Sequence, residues 1–378
     1  MLESLVNLEP RVLLLGGALM IGLLFGLLGR ASGFCLRSAL VEFRLSRPGP
    51  RAIAWAAALL TAVAGAQVLA GSGRVDLAES LYLAPRLTLV SILLGGFLFG
   101  IGMVLARGCG GRHLVLASGG NLRSWLVLTT LALFAYATLR GILAPLRLWL
   151  EGLLSLELQA AGDQALPALL ATQTGLAPHY LAIAVVALLV VGLAALLLHG
   201  LRAEAWRPAA WGHLMAGAGI GLLVPLAWIV TGLLGADEFE PVPLESMTFT
   251  APVGDALQYL MTYTGATADF GILVVGGVLL GAVVLAVLRR DQRLESFATA
   301  GQLLRYLLGA ALMGFGGVLA LGCTIGAGLS GVSTLSLGSM IALAAIVAGA
   351  RVALLIEARG SRILVPSLGR DRWSPSKS

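Results

Sequence analysis

Gly95–Cys109, GGFLFGIGMVLARGC, and Gly309–Cys323, GAALMGFGGVLALGC, read as two versions of one unit. A constant offset lays Gly95, Gly100, Gly102, Leu105, Ala106, Gly108 and Cys109 on Gly309, Gly314, Gly316, Leu319, Ala320, Gly322 and Cys323. Both copies are apolar and glycine-rich, and both end on a cysteine. Both then meet a Ser-Gly pair, Ser118-Gly119 and Ser330-Gly331, before another apolar run. Self-similarity at this separation marks a fold built from an internal repeat.

Outward from these copies the chain is apolar almost throughout. Of 378 residues, 58% are hydrophobic and 12% charged, with a mean hydropathy of +0.94, whereas a soluble domain carries about a quarter charged residues. A membrane span needs roughly 20 mostly apolar residues. Such stretches fall near 11–29, 51–71, 87–106, 122–142, 179–199, 211–234, 269–288, 302–321 and 335–357. The expected fold class is therefore an all-α polytopic membrane protein with about nine transmembrane helices. No basic region precedes the first stretch and no small-residue cleavage site follows it, so it reads as a retained helix. The 50 glycines, about twice the usual share, concentrate inside the apolar stretches. Gly22/Gly26, Gly96/Gly100 and Gly217/Gly221 have the spacing that places two small residues on one helical face, where helices in lipid pack closely.

Arginine placement sets the expected orientation. Arg30, Arg37, Arg44, Arg47 and Arg51 share one connection, Arg107, Arg112 and Arg123 the next of the same parity, then Arg202 and Arg207, then Arg289, Arg290, Arg293 and Arg305. Arg359, Arg362, Arg370 and Arg372 follow the last span. The connection 235–268 holds Asp237, Glu238, Glu240, Glu245 and Asp255 and no Lys or Arg. The positive-inside rule then places the N-terminus outside and the C-terminus in the cytoplasm of a bacterial inner membrane. The formal charge of +6 is a topological signal, and nucleic acid is not an expected partner.

The repeated unit occupies the third span and the eighth, an odd period, so the second copy is expected to be inverted in the membrane. Two halves follow, about 11–150 and 208–357, with the stretch 179–199 as a connector inside a single transport domain. A weaker pair supports this division: IGLLFGLLGRASGFC, ending at Cys35, resembles AGAGIGLLVPLAWIVTG around Trp228. Four segments are rich in glycine and polar residues yet stay fairly apolar: SGFCLRSAL, RGCGGRHLVLASGG, VPLAWIVTG and LGCTIGAGLSGVS. They read as re-entrant. Non-helical backbone at membrane depth survives where it lines a cavity, and broken helices in inverted repeats frame a midplane site. Half-helix N-termini aimed at that centre favour an anion.

Three cysteines occur, Cys35, Cys109 and Cys323, none in metal-ligand or redox-pair spacing. A lone membrane cysteine is often a small packing residue, but all three sit at equivalent points of the interrupted segments. Arg107, Arg112 and His113 beside Cys109 read either as interfacial anchors or as a basic vestibule for an anion, and Arg37 beside Cys35 has the same two readings. Thr324 offers a hydroxyl beside Cys323, while Trp228 and Thr231 occupy the fourth segment, where the indole would plug the space opposite a cysteine. His179, His199 and His213 lie at span ends and read as interfacial. No span carries an acidic residue well inside it, so no carboxylate-based ion site is evident. No phosphate-binding loop is present, which excludes ATP hydrolysis. No cofactor or metal is expected.

At these residues the chain resembles the YeeE/YedE sulfur-transport family, over nearly its whole length. The matching motifs are SGFCLR (32–37), ARGCGGR (106–112), NLRSWLVL (121–128), AYATLRG (135–141), AWIVTG (227–232) and LGCTIGAGLSGVSTLSLGS (321–339); Ala327 stands where family members often have glutamine. The resemblance implies an hourglass-shaped, pseudo-twofold protein. Cysteine-bearing loops would meet at a constriction that thiosulfate crosses in steps, past Cys35, Cys109 and Cys323. It also implies a cytoplasmic sulfur-carrier or rhodanese-like partner that consumes the substrate. The expected mechanism is non-covalent: protonated thiols donate to a desolvated anion, passing it from Cys323 through Cys35 and Cys109. The rival readings are transport of another sulfur or selenium compound, a membrane thiol-redox protein, and a passive channel.

Overall fold

The computed structural model describes residues 9–44, 49–158, 162–203, 208–235 and 242–364. Arg47, Arg207, Arg370, Arg372, Asp237, Glu238 and Glu240, which entered the topology argument, lie outside them. Among the described residues nine helices are long and apolar enough to cross a membrane: α1 (Pro10–Ser32), α3 (Pro50–Gly71), α4 (Leu89–Leu105), α6 (Leu122–Leu139), α9 (Pro178–Ala203), α10 (Pro208–Ile229), α12 (Phe270–Arg289), α13 (Ala300–Leu319) and α14 (Leu337–Leu364). The protein is an all-α polytopic membrane protein. At a rise of about 1.5 Å per residue, the 23 residues of α1 reach about 34 Å, enough for a hydrocarbon core near 30 Å. Shorter helices join them: α2 (Leu36–Arg44), α5 (Gly110–Ala117), α7 (Ala144–Leu153), α8 (Leu166–Thr174) and α11 (Thr250–Met261). The two short strands pair antiparallel, Arg86–Thr88 with Ser155–Glu157.

Helix starts follow local chemistry. Asn121, Asp269 and Thr299 accept from the amides of Ser124, Ile272 and Gln302, as capping side chains do. Proline opens α1 and α3 at positions whose amide has no helical partner anyway.

Packing is interleaved between the two runs of four spans. Helix α1 lies against α12, α3 against α10, α4 against α14 and α6 against α13, while α4 meets α13 and α1 meets α10. Exchanging the first run for the second turns the first four of these contacts into one another and leaves the last two unchanged. Glycine permits the approach: a Cβ on Gly22 would sit 2.9 Å from Gly277 Cα, and one on Gly309 would sit 2.7 Å from Gly102 O. All three small-residue pairs read from the sequence lie at such crossings, Gly22/Gly26 on α12, Gly96/Gly100 on α14 and Gly217/Gly221 on α3. Helix α9 differs: it is the most apolar span and its central window has no buried residue, as expected for a peripheral, lipid-facing helix.

Candidate functional site

Three of the four segments expected to interrupt helices do so by one device. The residue two before each cysteine is left-handed: Gly33 (φ 64°), Arg107 (φ 61°) and Leu321 (φ 56°). For arginine and leucine that conformation costs about 1–2 kcal/mol, and helix-ending hydrogen bonds offset it. The Gly108 amide donates to Met103 O at 3.0 Å and the Gly322 amide to Gly317 O at 2.8 Å, each closing the last turn of its helix. The chain then restarts at the cysteine. Cys109 is the N-cap of α5, Cys35 directly precedes α2, and Cys323 precedes a π-helical turn at Gly326–Gly331. The Gly326 amide donates to Cys323 Sγ at 3.4 Å and the Ser38 amide to Cys35. Both donors lie three residues downstream of the sulfur, the capping pattern, so half-helix amides point at these two thiols.

The fourth segment does not break. Helix α10 runs through Trp228 and widens into π turns at Val230–Leu234. Residues near Trp228 keep helical angles, Ile229 having φ −68°, so no reversal separates Trp228 from its helix. Wider turns at a functional region accommodate an extra residue without ending the ladder.

The three reversals bring the cysteines to one buried centre. All three are free and buried. The thiols of Cys35 and Cys109 are hydrogen-bonded to each other, and Cys109 also interacts with Cys323. Thr324, expected beside Cys323, instead turns its buried hydroxyl to the Cys109 thiol; that hydroxyl has no hydrogen bond of good geometry. Among the described residues no group of three His, Cys, Asp or Glu is arranged to hold a metal.

Arginines approach this centre from one side. Arg112 lies in the field of both Cys35 and Cys109, with Arg30 and Arg51 behind it. Arg37 feels Cys35 together with Arg107, Arg305 and Glu357, and its Nε is buried without a partner. Arg107 is exposed and stands farther out. Arg30 is committed to Asp291 at 2.6 Å, and Arg305 to Glu357 at 2.8 Å. His113 is not part of a vestibule: it is buried, with Nδ1 3.0 Å from Ser124 Oγ and Nε2 3.1 Å from Ala106 O, and it ties α5 to α6.

The opposite side is acidic. A cavity of about 460 Å³ opens there, walled by Leu81, Leu139, Leu244, Pro252 and Val318, and reaches Gly322 beside Cys323. Glu79, Glu245, Asp255 and Asp269 face into it, with Tyr82, Ser246, Thr248 and Thr250. Glu245 is exposed to solvent where it lines the cavity; partial desolvation, reinforced by Asp269 and Asp255, raises its carboxyl to about 7. Asp255 is raised too, chiefly by burial, with Asp269 adding and Arg140 opposing. Tyr82, which lines the cavity, is raised by burial and by Cys323 and Glu245. Trp228 meets Tyr82 edge-on at 6.4 Å and donates from Nε1 to Ser333 Oγ at 3.4 Å. It plugs the space beside Tyr82. Thr231 donates to the Glu245 carbonyl at 2.8 Å, pinning the cavity wall to the π turns.

Sequence reasoning missed Tyr82 and Thr250, which lie in connections without a motif. It read Glu245 only as a topological charge.

Discontinuous helices that carry buried polar groups to one centre define a membrane transport type of protein, with backbone irregularity confined to a protein-lined site. The chain belongs to the family described as sulphur transport, whose pattern it matches over residues 31–352. It is similar to two proteins named thiosulfate transporter TsuA. The one from Escherichia coli (strain K12) is 26% identical over 333 residues, covering 82% of this chain and 85% of the relative. The one from Spirochaeta thermophila is 26% identical over 328 residues, covering 86% and 93%.

Proposed function

We propose that this protein takes up thiosulfate across a bacterial inner membrane, with its N-terminus outside and its C-terminus in the cytoplasm, by passing the anion along cysteine thiols. The observation that carries the reading is the convergence of three buried free thiols, each at the start of a broken helix. A protonated thiol is a donor and a polarizable surface at once, suited to an anion with a terminal sulfur. The names of the similar proteins support thiosulfate as the substrate.

The order of use is Cys323, Cys109, Cys35, because Cys109 interacts with both of the others. This differs from the order expected from sequence, in which Cys35 came second. Arg112 and Arg37 receive the anion on leaving Cys35, and Thr324 offers its hydroxyl at Cys109. Trp228 acts through Tyr82, and Arg107 lies on the path to the cytoplasm. The interleaved contacts support an inverted repeat of about 11–150 and 208–357, with the segment near 179–199 as a peripheral connector.

Bringing a dianion to a negative interior costs about 2.3 kcal/mol per charge per 100 mV. A cytoplasmic sulfur-carrier or rhodanese-like protein that consumes thiosulfate would hold its internal concentration down. No catalytic step in this chain is needed.

The test is uptake of labelled thiosulfate into proteoliposomes by single Cys→Ala variants. Saturable uptake lost in Cys109→Ala, by about 100-fold or more if two thiol contacts go together, is the expected result. Normal uptake by all three variants sinks the thiol relay. A Cys35–Cys109 disulfide that turns over with a quinone would favour the thiol-redox reading instead.

A further inference from the structure

The cavity on the acidic face poses a chemical problem for that reading. An anion bound for Cys323 must pass a chamber of about 460 Å³ with four carboxylate side chains in its wall and, among the described residues, no lysine or arginine. Two of the acids are already engaged. Asp269 caps α12 by accepting from the Ile272 amide at 2.8 Å, and Asp255 has Arg140 acting on it. Glu79 lies exposed at the rim. Glu245 is exposed as well, but the charged groups acting most strongly on it are Asp269 and Asp255, both acidic. It lines the cavity and its backbone is clamped by Thr231.

A second observation points to a ligand. Thr250 is 2% exposed, lines the same cavity, and its hydroxyl has no hydrogen-bond partner. An unmet buried hydroxyl costs about 1–3 kcal/mol, and an anion oxygen in the cavity would satisfy it. A dianion held there faces Glu245, and like charges in a partly dry wall repel strongly. A proton on Glu245 removes one of those charges and supplies a second donor.

We infer that this cavity is a proton-binding antechamber to Cys323, in which Glu245 carries a proton while the sulfur anion is held at the Thr250 hydroxyl, so that proton and anion are taken up together. The inference rests on the thiosulfate-transport reading for its anion, but not for its proton site. No bond is made or broken other than the O–H bond of the Glu245 carboxyl. The proton comes from the outer solution, and the cavity that Tyr82 lines reaches Gly322 beside Cys323. Each anion then brings positive charge with it, which reduces the opposition of the membrane potential.

The sign follows from the carboxyl. With a value near 7, Glu245 is neutral in more acidic solution and charged in more alkaline solution, so uptake rises as the outer pH falls. Between about pH 8 and about pH 6 the neutral fraction grows about tenfold.

Two measurements test this on the full-length protein. Infrared difference spectra of the ligand-free protein are expected to show a carboxyl band titrating near neutrality. Glu245→Gln removes that band and Glu245→Asp keeps one. Thiosulfate uptake into proteoliposomes is expected to rise about tenfold over the same interval, to become flat within about twofold in Glu245→Gln, and to regain a slope in Glu245→Asp. Thr250→Val is expected to raise the half-saturating thiosulfate concentration about tenfold, the loss of one hydrogen bond to an anion, without flattening the profile. Absence of a band that Glu245→Gln removes overturns the proton site whatever the substrate. A band present with pH-independent uptake overturns the coupling. A band present with no saturable thiosulfate uptake supports the proton site and overturns the transport reading instead.

Discussion

The two approaches to the cysteine centre are chemical opposites. From one side come Arg112 and Arg37, acting on Cys35 and, for Arg112, on Cys109; from the other come Glu245, Asp255 and Asp269, which share their cavity with Tyr82, itself acted on by Cys323. An anion is welcome on the first side at any physiological pH, because guanidinium does not deprotonate. It is welcome on the second only when Glu245 is neutral. The difference gives the path a polarity that the thiols, being alike, do not. It also divides the labour of the broken helices. Amides serve the sulfurs of Cys35 and Cys323, while long-range charge comes from Arg37 and Arg112 on the restarted half-helices and from acids in the connections between spans.

The largest way to break that contrast is Arg112→Gln. It removes a cation that acts on both thiols, and uptake is expected to fall about 30- to 150-fold, the worth of a charge-assisted hydrogen bond of about 2–3 kcal/mol. Arg112→Lys would restore part of it. Equal uptake by Arg112→Gln would show that the arginine side is only an anchor. Arg37→Gln tests the same side at one remove. It acts on Cys35 but not directly on Cys109, so a loss of about fivefold is expected, with radiolabel uptake as the readout.

Asp255→Asn probes the acidic side. It removes a negative neighbour that raises Glu245, so the midpoint of the uptake profile is expected to move toward lower pH by less than about one unit. A profile that becomes flat in Asp255→Asn would mean that Asp255, not Glu245, carries the titration. The smallest effect is expected from Ser124→Ala, which leaves His113 Nδ1 without its 3.0 Å partner. Thermal stability in detergent should fall by about 1–2 kcal/mol, with uptake at saturating thiosulfate nearly unchanged, since His113 ties helices and faces neither approach.

Much of the centre was legible before any coordinates. The matched ends ARGC and ALGC marked Cys109 and Cys323 as equivalent, and their shared left-handed residues, Arg107 and Leu321, show why. The parallel failed at Trp228, because a π-helical widening and a true chain reversal look alike in a run of glycine, threonine and apolar residues. The Thr324 hydroxyl, expected beside its chain neighbour Cys323, also acts on Cys109. The acidic cavity escaped notice because its carboxylates lie in connections between spans. There they read as topology, and the search for an ion site looked only within the apolar stretches.

The sequence by itself determined the number and placement of the spans, the glycine faces on which they cross, and the three points where helices restart at a cysteine. Those features are local: apolar run length, small-residue spacing and turn chemistry act over one to a few helical turns. Only the tertiary structure decided that the Cys109 thiol is hydrogen-bonded to Cys35 and lies in the field of Cys323, that Tyr82, from a distant connection, feels Cys323, and that Glu245 and Thr250 share one cavity. Such meetings depend on how helices from the two halves interleave, and that is fixed by side-chain fit across crossings, which no periodicity along a single chain encodes.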